Sequence, residues 1–363
     1  MVELSLNAVS SFSRDLSATC TAISLEGFSL VVGSQDGLLI SWDTSTGAER
    51  WRVSIDGPIS DISRDSDYLY VVASSSLFAI SETDGSIIWS RGLEGASDYV
   101  LIADGSVWAT SSVYEIEIGD YTESTIWRFD TSGELEQRWT IAERGWFFGS
   151  DRRGLVLGLG RPRCGVLRID QGNLEHLDIP DRGPVTCGHS YGGVVLLGHS
   201  DGWTSMVEGL DCTSWLHAPG SVNSGESGSP VCSVLGHDGY PISGLEDGET
   251  RSNGGWNHSS NGPVAALSLG PHPSDDSAVW VCSSDGVVVL NRDTGDNLLE
   301  LAHECRVVKC DSSNETIVLA DERGGVYSIN ADFLARRVKE GPVENDDDDK
   351  TTRMRERLKK LRE

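Results

Sequence analysis

"SQDGLLISWDTSTGAERW", residues 34–51, reads as two short strands around a tight turn, with a tryptophan near each end. A weaker copy returns about every forty residues. The stretch sits inside "FSLVVGSQDGLLISWDTSTGAERW" from Phe28, and "DYLYVVASSSLFAISETDGSIIW" follows from Asp67. Further copies begin at Ser106, Gly154, Gly193, Ser229, Ala278 and Glu315, the one at Ser106 with an insertion near Asp120. Each opens with a run rich in Val, Leu and Ile, which favours strands. A polar break follows, often Asp-Gly, as at Asp36-Gly37, Asp201-Gly202, Asp238-Gly239 and Asp285-Gly286. Glycine supplies the positive φ that a tight hairpin needs. A second apolar run ends at a second break such as "DTSTG", "ETDG" or "DTG", and a third short strand tends to finish in Trp. Upstream of most copies lies a fourth short strand, such as "PISDIS" (58–63) or "PVAALSL" (263–269).

The terminal tryptophan is the ruler. Trp51, Trp89, Trp139, Trp215 and Trp256 are read as matching places, with Leu177 and Leu299 standing in for two more. Periods near forty with four strands per unit indicate a β-propeller. One four-stranded sheet cannot bury both faces; a ring of sheets buries each against its neighbours. A large aromatic on the outer strand then fills the wedge that widens with radius. The expectation is therefore an all-β chain: a β-propeller of about eight four-stranded blades over residues 1–341, with structural tryptophans. The weak sixth copy, "SGSPVCSVLGHDGYPISGLEDGETRSNGGW", leaves seven blades as the alternative. The eighth copy ends in "ADFLARRVKE", which is not expected to supply an outer strand, whereas "VELSLNAVS" at the N-terminus is spare. That N-terminal strand is expected to complete the last blade and close the ring.

The totals exclude several classes. With 363 residues, 41 of them Gly, the chain is long enough for a large core and rich in turns. Its formal net charge is −27, and Lys is absent before Lys309. Such a surface repels phosphate backbones, so the propeller body is not expected to bind nucleic acid directly. The eight cysteines form no C-x-x-C pair and are spread along the chain, which is no disulfide framework. The start lacks the charged and apolar regions of a signal peptide, and no run approaches the 18 apolar residues of a span. The expected location is cytoplasmic, the thiols reduced, and the propeller monomeric.

The "DGLLISWD" motif with the downstream "TGAERW" resembles the WD40 repeat, and "LFAISETDGSIIW" looks more like the quinoprotein-type (PQQ-like) repeat, which often ends "tGxxxW". The resemblance covers residues 14 to about 338. It implies the propeller fold and little about function, because propellers host unrelated jobs. WD40-type propellers are mostly interaction platforms. Quinoprotein-type ones include periplasmic dehydrogenases and also non-enzymatic members, such as the lipoprotein of the outer-membrane assembly machine. A quinone-dependent dehydrogenase would carry a signal peptide and adjacent cysteines beneath the cofactor. This chain carries neither, and no quinone or calcium site transfers residue by residue.

Two constellations invite chemistry. "SGESGSPV" (224–231) resembles a serine-protease nucleophile segment with Ser227 in the nucleophile's place, but the first histidine of the chain is His176. Acyl transfer of that order needs a histidine well upstream. His189, His199 and His237 each follow a glycine, and His199 and His237 share one place in consecutive copies, near Asp201 and Asp238. A metal site wants three or four ligands in fixed geometry, so these are read first as hairpin polar residues. No catalytic residue, cofactor or metal is expected. The reading is a non-enzymatic protein–protein interaction platform; the alternative is an enzyme or ligand-binding propeller with a site in the central channel or at one rim.

The tail differs in kind. "VENDDDDK" breaks the repeat, and "TTRMRERLKKLRE" reverses the charge. Met354, Leu358 and Leu361 fall at i, i+4 and i+7 on one helical face. Residues 342–363 are therefore read as an acidic linker and a basic amphipathic tail, either a short charged helix or disordered. Met354, Arg355, Leu358 and Leu361 are the expected contacts to another protein.

Overall fold

The computed structural model describes residues 4–170, 172–216, 228–237, 240–284, 286–313 and 315–341; the tail contacts Met354, Arg355, Leu358 and Leu361 lie outside the described residues, as do Ser227, Asp238 and Asp285. Among the described residues the strands form eight sheets with four antiparallel strands each, one of them extended by a short parallel strand, and each is built from consecutive strands save where N-terminal residues join. Blade 1 runs Cys20–Glu26, Ser29–Ser34, Leu38–Asp43, Glu49–Ser54 from inner to outer strand. Blades 2 to 6 repeat this order from Ile59, Ala96, Gly145, Val185 and Val231. Blade 7 begins at Ala266 and blade 8 at Val307. The eight inner strands touch in cyclic order, and Val307–Ser313 of blade 8 packs on Cys20–Glu26 of blade 1. The ring is closed, and the eight-blade count holds over the seven-blade alternative.

Closure uses residues other than those expected. Blade 8 takes its outer strand from Phe12–Asp15, which pairs antiparallel with Gly325–Asn330. The "VELSLNAVS" stretch does not complete the last blade. Its Leu4–Ser5 pairs in parallel with Leu301–Ala302 as a fifth strand of blade 7. Its next residues form a short helix, α1 (Leu6–Val9), that packs on the C-terminal helix α2 (Ala331–Glu340). The physical reason is burial. Leu6 and Val9 join Leu334 in one apolar cluster with Trp280, Leu301 and Ile329, so this segment plugs the outer end of blades 7 and 8. "ADFLARRVKE" forms α2 and, as expected, gives blade 8 no outer strand.

The second strand of a blade is mostly buried, as in Leu155–Leu159 and Thr316–Asp321. Between blades, one device recurs. A tryptophan in or just before the outer strand lies on a glycine of the turn between the third and fourth strands of the next blade and donates its indole N–H to that turn. Trp51 lies over Gly85 and donates to Glu82 O at 2.9 Å. Trp89 lies over Gly133 and donates to Thr131 O at 3.0 Å; Trp256 lies over Gly295 and donates to Arg292 O at 2.8 Å. At the seam Phe12 takes the place and lies over Gly47 of blade 1. These glycines sit at φ between +69° and +84°, where a side chain would be strained as well as overlapping the ring.

Trp139 breaks the pattern. Just past the same strand irregularity, Trp51 pairs with Ser41 and Trp89 with Ala79, but in blade 3 that place belongs to Gln137, opposite Arg128. Gln137 faces Gly172 of blade 4. Trp139, two residues later, stacks on Trp108 with centroids 5.7 Å apart and packs into the interface with blade 4. The ruler was two residues out there because the extended hairpin of this blade blurs the spacing. Trp215 lies in the strand Asp211–Leu216, and its side chain lies outside the described ones.

Among the described residues no helix is long and apolar enough to cross a membrane.

Candidate functional site

The turns between second and third strands and the links between blades lie on one face of the ring. Among the described residues, blade 3 projects furthest on it. Its middle strands, Ser106–Glu115 and Asp120–Asp130, have 10 and 11 residues, against 6 and 6 in blade 1. The hairpin they make carries Tyr114, Ile116 and Ile118, which are 52%, 87% and 62% exposed. Glu115, Glu117 and Asp120 alternate with them. At its base Tyr121 meets Tyr114 edge-on at 5.1 Å and Trp146 at 6.4 Å. The Arg144 guanidinium lies 3.9 Å from the Tyr121 ring centre and 4.3 Å from that of Trp146. It also pairs with Asp98 at 2.7 Å. Burial pushes the Asp98 carboxyl upward, and the Arg144 charge opposes that shift. Beside this stack a cavity of about 310 Å³ is lined by Tyr121, Arg144, Trp146, Arg161 and Val185. An arginine held between two aromatic rings is pre-oriented, which suits recognition more than proton transfer.

The inner strands line the channel. There, Asp61 accepts the Val100 N–H at 3.0 Å from the next blade, and Asp311 accepts the Leu25 N–H at 2.7 Å. Each carboxylate caps an amide on a neighbouring inner-strand edge. Desolvation by the surrounding wall pushes Asp61 up to about 6, with Lys309 pulling it down. Desolvation likewise raises Asp311, and pushes the Cys187 thiol up to about 12. A thiol held neutral in this way is a poor nucleophile.

The histidines read from the sequence do not converge. His199 is fully buried, with Nδ1 3.0 Å from Gly183 O and Nε2 2.8 Å from Ser205 Oγ. Both nitrogens are engaged, and burial lowers its pKa. It is a lock between a blade link and its own blade. Asp201 beside it accepts the Gly183 N–H at 3.0 Å. His189 lies on an inner strand and stacks near Tyr191, with centroids 6.4 Å apart. The side chain of His237 lies outside the described ones. All cysteines of the chain are free thiols.

Two features escaped the sequence reading. The insertion near Asp120 was visible, but nothing in its length says that its isoleucines point outward. A second is the group His303, Cys305 and Asp321, whose ligand atoms lie within 4.8 Å of one another. They are separated along the chain and meet only because a blade link folds over a strand end; the repeat phase was the signal that could have aligned them.

Residues 9–114 match the family model of the outer membrane protein assembly factor BamB. No curated protein matches the chain significantly. Solved structures similar to it include the computationally designed Ika8 protein, at 17% identity and a TM-score of 0.70, with 91% of this chain and 100% of that chain covered. Sqt1 of Saccharomyces cerevisiae matches at 12% identity and a TM-score of 0.70, with the same coverage. BamB from Moraxella catarrhalis matches at 15% identity and a TM-score of 0.62, with 88% of this chain and 96% of that chain covered. At such identities the likeness is one of fold. Together with the repeat, it makes this chain an eight-bladed β-propeller whose residues 9–114 resemble the repeats of that family model.

Proposed function

We propose that the chain is a non-enzymatic, cytoplasmic interaction platform that holds a segment of another protein on the blade 3 hairpin, with residues 342–363 as a second contact. The observation that carries this reading is the hairpin tip, where Tyr114, Ile116 and Ile118 stand exposed within five residues. Scattered exposed apolar residues need no explanation, but several projected together on one rigid element mark an interface. The intervening Glu115 and Glu117 favour a partner segment that joins apolar side chains to Lys or Arg. Two further facts support it. His199 is committed to internal hydrogen bonds, and the Cys187 thiol is held neutral, which weakens the reading of an enzyme working in the channel. The matched family model is described as that of an outer membrane protein assembly factor.

The test is affinity capture from native lysate. Wild type is compared with an Ile116→Asp/Ile118→Asp variant and with a Leu358→Asp/Leu361→Asp variant. The hairpin variant should melt like wild type and capture its main partner at least about ten-fold less, as expected for loss of a hot spot. The tail variant should weaken capture of the same partner. Undiminished capture by the hairpin variant would remove the hairpin from the function, and undiminished capture by the tail variant would make the tail a solvated end.

A further inference from the structure

We propose that His303, Cys305 and Asp321 form a zinc site at the seam between blades 7 and 8, independently of the interaction reading above. His303 and Cys305 lie in the link between Asn297–Ala302 of blade 7 and Val307–Ser313 of blade 8; Asp321 ends the strand Thr316–Asp321. One nitrogen, one sulfur and one carboxylate oxygen come within 4.8 Å of one another. A tetrahedral zinc with bonds of about 2.0–2.3 Å needs ligand atoms about 3.3–3.8 Å apart, within reach of small side-chain rotations. The donor set selects the metal. Calcium and magnesium take oxygen ligands, whereas nitrogen with thiolate suits zinc.

The site is held in place before any ion arrives. Asp321 is 2% exposed and Cys305 9%. One carboxylate oxygen of Asp321 accepts the N–H groups of Arg323 at 2.9 Å and Gly325 at 2.8 Å. The other faces His303 Nε2 at 3.0 Å and accepts the Tyr327 hydroxyl at 3.2 Å. The Tyr327 ring packs edge-on to the His303 ring at 5.0 Å. Gly325 has no side chain, and a Cβ there would lie 2.5 Å from the outer Asp321 oxygen. Outer contacts of this kind fix ligand orientation in metal sites. A cavity of about 860 Å³, lined by these residues with Arg14 and Asp15, opens beside the three and leaves room for a water as fourth ligand.

The simplest competing account is a polar lock like that of His199, and it explains His303 and Asp321 as a hydrogen-bonded pair. It does not explain the thiol. Strand pairing places Asp321 opposite Val307, as Ser34 stands opposite Cys20, Ala73 opposite Ile59 and His199 opposite Val185. Counting back from each inner strand, the places of His303 and Cys305 hold Leu16 and Ala18 in blade 1, Ile55 and Gly57 in blade 2, and Asp181 and Gly183 in blade 5. In a repeat protein the shared frame is scaffold and the departures carry function. Blade 8 holds a metal-ligating residue at all three places, whereas blades 1 and 2 hold none and blade 5, with Asp181 and His199, lacks the thiol. On binding, the Cys305 thiol loses its proton to solvent, the His303 N–H moves to Nδ1, and Nε2 and the thiolate bond the ion.

The test uses the full chain after chelator treatment, with Co²⁺ as a spectroscopic probe and Zn²⁺ as competitor. One equivalent of Co²⁺ should give a thiolate-to-cobalt charge-transfer band in the near ultraviolet, and one equivalent of Zn²⁺ should remove it and raise the melting temperature. Cys305→Ser should abolish the band, Asp321→Asn should weaken zinc binding at least about ten-fold, and Cys164→Ser should leave both unchanged. Should Cys305→Ser fold poorly in chelator, His303→Gln carries the same decision. A wild-type protein without the band, or a band undiminished in the folded ligand variants, overturns the site.

Discussion

The indole of Trp51 lies across the bare backbone of Gly85 and gives its N–H to Glu82 in the next blade, so one side chain supplies apolar packing and a hydrogen bond to an interface. Trp51 is 7% exposed. Replacing it by Ala removes a large buried aromatic and should cost roughly 3–5 kcal/mol, read by denaturant unfolding; a loss below about 1 kcal/mol would return Trp51 to the surface. Asp61 works in the other direction. Its folded-state pKa, near 6, lies above the ordinary carboxyl value because burial disfavours the charge. The folded state therefore binds the proton more tightly than the unfolded state. Stability from this group is present below about pH 4, falls as pH rises through the window from 4 to 6, and is absent above it. Asp61→Asn, which keeps an acceptor for the Val100 N–H, should raise the melting temperature at pH 7–8 and change it little at pH 4.5. Equal shifts at both pH values would show that the carboxylate charge is not the cause.

The N-terminal residues divide into two elements with different duties. Leu4–Ser5 and α1 cap the outer end of blades 7 and 8, whereas Phe12–Asp15 completes blade 8 and places Phe12 over Gly47 of blade 1. Deleting residues 1–10 should lower the melting temperature moderately, because it uncovers Leu301, Ile329 and Leu334 but leaves the ring shut. Deleting residues 1–15 should lower it much further, since Gly325–Asn330 then becomes an open edge. Two truncations that melt alike would show that Phe12–Asp15 adds nothing to closure. The sequence made the blades legible because strand, turn and strand recur in one phase, and Asp-Gly pairs mark forced conformations such as Gly37 at φ +86°. It misplaced the closing strand, because "VELSLNAVS" and "FSRD" are both short and locally strand-prone, and only tertiary burial of Leu6 and Val9 decides between them. It misplaced Trp139 for a related reason: a two-residue slip is invisible until Gln137 is seen facing Gly172. The candidate surfaces were harder still. Exposure of Ile116, and the meeting of His303 with Asp321 across a blade link, are properties of the assembled ring.

At the scale of the whole molecule, charge is out of balance with partners. The chain has 56 acidic residues against 29 Lys and Arg, so about half of the carboxylates have no cation to meet. Much of the arginine is used locally. Arg168 is committed to Asp151 at 2.6 Å in the interior, Arg144 to Asp98, and Arg64 to the buried seam with Ser24 and Glu82. Most carboxylates of the described residues stand on the surface of a closed ring, where they repel one another in the folded state more than in an expanded chain. The Debye length falls from about 30 Å at 0.01 M salt to about 3 Å at 1 M, so salt removes most of that repulsion. Exposed ion pairs such as Arg138 with Glu94 are weakened by the same screening, but such pairs contribute little, about 0–1 kcal/mol each. Repulsion should therefore prevail, and the melting temperature at pH 7 should climb as NaCl rises from about 0.01 M to 0.3 M, a range in which screening changes steeply. Sucrose, which strengthens burial without screening charge, should not reproduce the steep low-salt part of that rise. A melting temperature that falls over the same range would mean that attractive pairs, and not the excess of carboxylates, set the electrostatic balance of the ring.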